Sequence, residues 1–118
     1  MKYPNPNMIS AIAIAFAATA FSGTAGAADV DAAKDLAKQN NCFKCHSIKK
    51  ELDGPSYKKV AAKYKGKATA EARLVEHITT GEKAKFPDGH EEEHKIVKTM
   101  PPKDMAQIKN LVNWILSL

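Results

Sequence analysis

The run Cys42-Phe43-Lys44-Cys45-His46 constrains this 118-residue chain more than any other stretch. A Cys-x-x-Cys-His spacing reads as a site of covalent haem attachment. Two thiols add to the vinyl groups of a haem, and the adjoining histidine is then held close enough to offer an imidazole nitrogen to the iron. One short segment thus supplies both the tether and an axial ligand. A chain this short builds a marginal core on its own, and a large apolar macrocycle gives its side chains more surface to bury. The chain has 2 cysteines, so thioether formation at Cys42 and Cys45 would consume both and leave neither a disulfide nor a free thiol.

The start of the chain reads as a leader. Residues 1–27 carry a single charge, Lys2, then an apolar run over residues 8–21, then Ala25-Gly26-Ala27. That order is the pattern of a secretory signal peptide. The apolar run is shorter than the roughly 18 to 20 residues a spanning helix needs, which favours cleavage, after Ala27 or Ala28, over retention as an anchor. Residues 28–118 are then expected to form one domain with no membrane span. The formal charge of +5 falls to +4 with the loss of Lys2, before haem propionates lower it further. So weak a basic excess, in an exported protein, argues against a nucleic-acid partner.

Along the mature chain the apolar spacings are helical. Asp29 can cap a helix in which Val30, Ala33 and Ala37, with Leu36 adjoining, recur at intervals of three and four, and Asn40-Asn41 ends it just before the haem motif. Residues 47–53 are a polar loop, followed by Gly54-Pro55-Ser56, where proline removes a backbone donor and glycine lets the chain turn. Tyr57, Val60, Ala61 and Tyr64 form the next stripe, closed by Gly66. Thr69 caps a third helix that carries Leu74, Val75 and Ile78 inward and ends at Gly81. Residues 82–98 hold turn chemistry at Phe86-Pro87-Asp88-Gly89 and a charge run between His90 and His94, and are expected to be a surface loop with at most one helical turn. Met100-Pro101-Pro102 is extended. The last helix begins at Lys103-Asp104 and presents Met105, Ile108, Leu111, Val112, Ile115 and Leu118 on one stripe with Trp114 beside it, a face too broad to leave in water. No stretch shows strand alternation, so the fold class expected is all-α.

Cys-x-x-Cys also serves thioredoxin-like redox sites, but those require a β-α-β context that these helical spacings lack. A zinc site would combine Cys42 and Cys45 with His90-x-x-x-His94, yet the pairs are more than forty residues apart, against roughly 12 to 15 in a zinc finger. The haem reading makes its own demand, a sixth ligand far enough downstream to reach the opposite side of the ring. Met100, ahead of the rigid Pro101-Pro102, meets it. Met105 lies on the helical stripe and is better read as core filling. His77, His90 and His94 are the other candidates, and a His/His site would have a lower potential than a His/Met one. His90 and His94 could also share a metal if the segment were helical, although a solvated charged loop is the better reading.

Taken in order, Cys42-Phe43-Lys44-Cys45-His46, then Gly54-Pro55-Ser56-Tyr57-Lys58-Lys59-Val60-Ala61-Ala62-Lys63-Tyr64, then Thr80-Gly81, Met100-Pro101-Pro102 and the Trp114 helix resemble the bacterial class I c-type cytochromes. The likeness is especially to the small monohaem periplasmic members, and it spans nearly all of the mature chain. The resemblance implies a cytochrome c fold of roughly three to five short helices wrapped around one haem c. It also implies thioethers at Cys42 and Cys45, proximal His46, distal Met100, and a Pro55 carbonyl that accepts the other ring N–H of His46. Residues 82–98 are longer than in the smallest relatives and lack a tryptophan found there in some. His77 falls where an arginine often faces a haem propionate, so for His77 a propionate contact or a simple exposed histidine is expected.

The resemblance further implies a periplasmic one-electron carrier between redox partner proteins, a monomer or weak dimer and not an enzyme, since both axial positions are filled. A haem c subunit of a periplasmic dehydrogenase or reductase complex would look the same in sequence. A gas sensor with a weak Met100 bond is a third possibility. Lys44, Lys49, Lys50, Lys58, Lys59 and Lys63 cluster in the attachment half and are expected to steer acidic docking patches on partners.

Overall fold

The computed structural model describes residues 27–118. The expected signal peptide, residues 1–27, and its cleavage site lie outside the described residues but for their last positions. Four helices follow in order: α1 (Val30–Gln39), α2 (Tyr57–Tyr64), α3 (Ala70–Thr79) and α4 (Met105–Leu116), with one 3-10 turn at Cys42–Lys44 between the first two. Among the described residues no helix is long and apolar enough to cross a membrane.

Each helix start has a local cause. The Asp29 carboxylate accepts from Ala32 N–H at 3.0 Å, Ser56 Oγ from Lys59 N–H at 3.2 Å, and Asp104 from Ala106 and Gln107 N–H at 3.0 and 3.2 Å. These bonds satisfy donors that a helix leaves orphaned at its first turn. Thr69 precedes α3 as expected but makes no side-chain cap bond.

Helix α4 is the spine. It packs on α1, α2 and α3, and Ile108, Leu111, Val112, Trp114 and Ile115 are buried along it. Ala33 and Ala37 of α1 are fully buried against this face, where small side chains let the helices approach. Trp114, only 2% exposed, meets the Tyr57 ring edge-on at 5.7 Å. Met105 departs from the expected core. It is 43% exposed, because the apolar stripe is covered only from Ile108 onward, where the other helices cross it.

Two polar clamps close the bundle. Asn110 Nδ2 donates to the Asp29 carbonyl at 2.9 Å and its Oδ1 accepts from Asp29 N–H at 2.8 Å, tying α4 to the start of α1. Asn40, at the end of α1, brackets Lys98 in the same way, at 3.0 and 2.7 Å.

Residues 82–98 depart from the expected loop. They contain an antiparallel hairpin, β1 (Lys83–Lys85) with β2 (Glu91–Glu93), in which Lys83 faces Glu93 and Lys85 faces Glu91. Opposite charges in register stabilise such pairs by about 0.2–1 kcal/mol. The turn is closed by Phe86 N–H on the His90 carbonyl and Gly89 N–H on the Phe86 carbonyl, with Gly89 at φ +93°. Strands reading Lys-Ala-Lys and Glu-Glu-Glu carry no apolar alternation, which is why the pattern gave no strand. The architecture is otherwise the expected all-α one.

Two measurements test this description. Trp114→Ala should cost about 3–5 kcal/mol, read as a lower denaturant midpoint, whereas Met105→Ala should change it little. At the hairpin, the Asp88 carboxylate bonded to the ring raises the His90 pKa above its ordinary value. A raised value means the contact helps the hairpin below the ordinary histidine pKa and fades as pH rises through the raised one. An NMR titration should find His90 charged to higher pH than a free histidine, and Asp88→Asn should lower its pKa.

Candidate functional site

The helix ends and loops that flank α4 enclose a cleft of about 550 Å³, within the roughly 300–1,000 Å³ of small-molecule and cofactor sites. One wall is the Cys42–His46 segment with Gly54, Pro55 and Tyr57. Leu74 and Ile78 of α3 with Leu111, Val112 and Ile115 of α4 form an apolar floor. Phe86, His94, Ile96 and Val97 of the hairpin region form the far wall.

The attachment wall is built by short-range bonds. Asn41, in the left-handed region at φ 56°, reverses the chain out of α1 into the 3-10 turn, and Cys45 and His46 N–H both bond the Cys42 carbonyl at 3.2 and 2.9 Å. Gly54 N–H bonds the Cys45 carbonyl at 2.7 Å, and Tyr57 N–H bonds the Ser47 carbonyl at 2.8 Å. These bonds lay the 54–57 segment along the motif, so that His46 Nδ1 comes 2.8 Å from the Pro55 carbonyl oxygen. A carbonyl only accepts, so Nδ1 carries the proton and Nε2 keeps its lone pair. That tautomer is the one a metal ligand requires.

Gly54 is the floor of this cradle. A Cβ there would stand 2.5 Å from His46 Cε1 and 2.8 Å from Nδ1, closer than any unbonded carbon tolerates. The Tyr57 ring stacks on His46 from another side, centroids 5.2 Å apart at 19°. Burial also lowers the His46 pKa, outweighing the Pro55 bond, which raises it. Burial raises the Cys42 thiol, with the Tyr57 hydroxyl partly offsetting, and raises the Tyr57 phenol as well. Two half-buried cysteines, a histidine with an oriented free lone pair and an apolar cleft are the chemistry a covalent haem demands. The residues fit the group.

The expected residues are not all brought together. Cys42, Cys45, His46 and Pro55 line the cleft, but Met100 does not. Its side chain is 85% exposed, and its carbonyl accepts from Gln107 Nε2 at 3.0 Å. His94 lines the cleft instead, its ring centroid 6.1 Å from that of His46. His77 is there too, with Nδ1 2.5 Å from Glu82 Oε1, and Arg73 Nη2 lies 2.7 Å from the same oxygen. Arg73, one turn ahead of His77 on α3, was not singled out from the sequence. Of the six lysines expected at the haem edge, Lys59 and Lys63 line the cleft, and Lys59 pairs with Glu51. Lys83, Lys85 and Lys95 join them from the hairpin region, which only its strand register brings there. His90 is held away by Asp88 and Glu92, so the zinc grouping with His94 does not form. Among the described residues no group of three His, Cys, Asp or Glu side chains could hold a free metal ion.

Known proteins similar to this chain are cytochromes c. The cytochrome c family model matches residues 30–118. Cytochrome c-551 of Allochromatium vinosum is 40% identical over 86 residues, covering 70% of this chain and 82% of that protein. Cytochrome c-552 of Nitrosomonas europaea is 38% identical over 106 residues, covering 87% and 91%. The crystal structure of the class 1 cytochrome MtoD from Sideroxydans lithotrophicus ES-1 superposes with a TM-score of 0.71 at 68% identity, over 77% of this chain and 97% of that one.

The cradle yields a prediction. Gly54→Ala forces His46 off the Pro55 carbonyl, at a cost of about 1–3 kcal/mol. Less covalently loaded protein, with a shifted haem absorption spectrum, is the expected outcome. Unchanged loading and spectrum would mean that the ring does not depend on the missing Cβ.

Proposed function

The chain belongs to the cytochrome c family, and we propose that it is a periplasmic one-electron carrier whose single haem c is ligated by His46 and Met100. The observation that carries this reading is the His46 cradle: a ring seated on Gly54, its Nδ1–H on the Pro55 carbonyl 2.8 Å away, and Nε2 directed by that bond to serve as a ligand. When bound, haem c supplies an iron that cycles between Fe(III) and Fe(II). The chain's own residues do the rest. Cys42 and Cys45 hold the macrocycle through thioethers, and the Pro55 bond fixes the imidazole. Leu74, Ile78, Leu111, Val112 and Ile115 keep water from the site, which helps set the potential.

Support for Met100 lies in how its backbone is held. Thr99 is buried, and its hydroxyl bridges the Pro101 carbonyl at 2.7 Å and Asp104 N–H at 2.8 Å. The Asn40 clamp on Lys98 and the bond from Val97 N–H to the Ile78 carbonyl, 2.8 Å, anchor the same segment from the other side. The exposed thioether is therefore presented from a fixed backbone and is free to turn. With His46 and Met100 both held to the haem, no place would be left for a substrate, so the reading is of a carrier and not an enzyme.

Residues 1–27 are read as the leader that exports the chain, and residues 28–118 as the haem domain. Lys59, Lys63, Lys83, Lys85 and Lys95 at the cleft are the charges that would meet acidic patches on redox partners.

Met100→Ala in the haem-loaded protein is expected to change the absorption spectrum and lower the reduction potential, since methionine ligation raises it. If both stayed as in the native protein, Met100 would be removed from the site. Electron transfer to an acidic partner should slow by about tenfold or more from low to high salt. Stopped-flow rates indifferent to ionic strength would leave the lysines as solvated surface.

A further inference from the structure

We infer that His94 is a reserve ligand for the haem iron, poised to take the position opposite His46 when the Met100 thioether is absent or withdrawn. The inference rests on the reading of His46 and Met100 as the axial pair. It starts from the geometry of two imidazoles in one cleft. The His46 and His94 rings lie with centroids 6.1 Å apart and planes 44° from parallel. An imidazole nitrogen sits about 2 Å from a bound metal and roughly 1 Å from its own ring centre, so two rings on opposite sides of one ion have centres about 6 Å apart. A twist of this size between the planes is compatible with the spacing, because binding through one nitrogen sets no angle between two rings about a shared axis.

The hydrogen bonds agree with that spacing. His94 Nδ1 lies 2.9 Å from the Lys95 carbonyl oxygen, as His46 Nδ1 lies 2.8 Å from that of Pro55. Both carbonyls can only accept, so both rings carry the proton on Nδ1 and keep the Nε2 lone pair. A ligating histidine ordinarily donates its other N–H to such a partner. Burial favours the neutral form of each ring.

The other histidines are held differently. His90 meets a carboxylate at each ring nitrogen, from Asp88 and Glu92, and so has no free lone pair to offer. His77 shares the Glu82 carboxylate with Arg73 and stands beside His94, centroids 4.4 Å apart. Met100 differs in another way. Its thioether has to swing in from solvent, whereas the His94 ring already borders the cleft. Imidazole is also a good ligand for iron, so His94 competes on chemistry as well as on position.

The test uses the full chain matured with haem, and compares Met100→Ala, His94→Ala and the double variant by ferric absorption and electron paramagnetic resonance, with reduction potentials alongside. Met100→Ala is expected to stay six-coordinate and low-spin at a lowered potential, and the double variant to become high-spin. His94→Gln in the Met100→Ala background, which keeps a polar side chain without an imidazole, should do the same if the double alanine variant folds poorly. Free imidazole added to the high-spin protein should restore the low-spin spectrum, showing that the pocket is intact. A high-spin Met100→Ala protein overturns the inference and leaves the Met100 reading standing. A double variant that stays low-spin also overturns it, since another group then fills the position. If His94→Ala alone turns the native protein high-spin while Met100→Ala changes nothing, His94 is the ligand and it is the Met100 reading that fails.

Discussion

The hydrogen bond from His46 Nδ1–H to the Pro55 carbonyl is the contact on which the rest of the site depends. It exists because the chain doubles back within ten residues, with Gly54 N–H on the Cys45 carbonyl at 2.7 Å and Tyr57 N–H on the Ser47 carbonyl at 2.8 Å. The ring has no space to spare over Gly54. Orientation and tautomer are therefore fixed by a backbone carbonyl that cannot titrate. Tyr57 connects this local arrangement to the whole fold, stacking on His46 with one face and meeting buried Trp114 of α4 edge-on.

Long-range order enters through two asparagines. Asn110 joins the ends of α1 and α4, and Asn40 joins the far end of α1 to Lys98. An asparagine amide both donates and accepts, so each clamp satisfies an N–H and a C=O of the opposing backbone together. The effect is to fix the segment that leads to Met100 against the same helix that delivers Cys42. Both sides of the cleft are thereby referred to one element.

Much of this was legible in the sequence. The haem motif, the cap Asp29, the start of the last helix near Asp104, and the buried stripes of α1 and α4 follow from residue type and spacing, since helical burial repeats every three or four residues. The His46–Pro55 contact was implied by the family resemblance and by nothing in the residues alone. The hairpin was not legible, because its strands, Lys83–Lys85 and Glu91–Glu93, are charged at every position but Ala84 and leave no apolar alternation. Lys83, Lys85 and Lys95 reach the cleft only through that hairpin, so a count of lysines near the motif in sequence could not place them. Met105 has the spacing of a core residue but is exposed, because spacing tells which face is apolar and not how far along the helix its partners extend.

The two walls of the cleft differ in how they resist change. The attachment wall is a set of contacts closed within 16 residues, from Cys42 to Tyr57, most of them backbone to backbone. Moving His46 means breaking several together. The far wall hangs on the hairpin, whose strands are 3 residues each and whose Glu91, Glu92 and Glu93 are all exposed. A segment with few buried apolar contacts opens at lower free energy than the core around it. His94 belongs to this wall, and its ring is anchored only to the adjoining Lys95 carbonyl, so it can shift without disturbing α4 or the cradle. Of the two walls, the one that carries His46 is thus the harder to move.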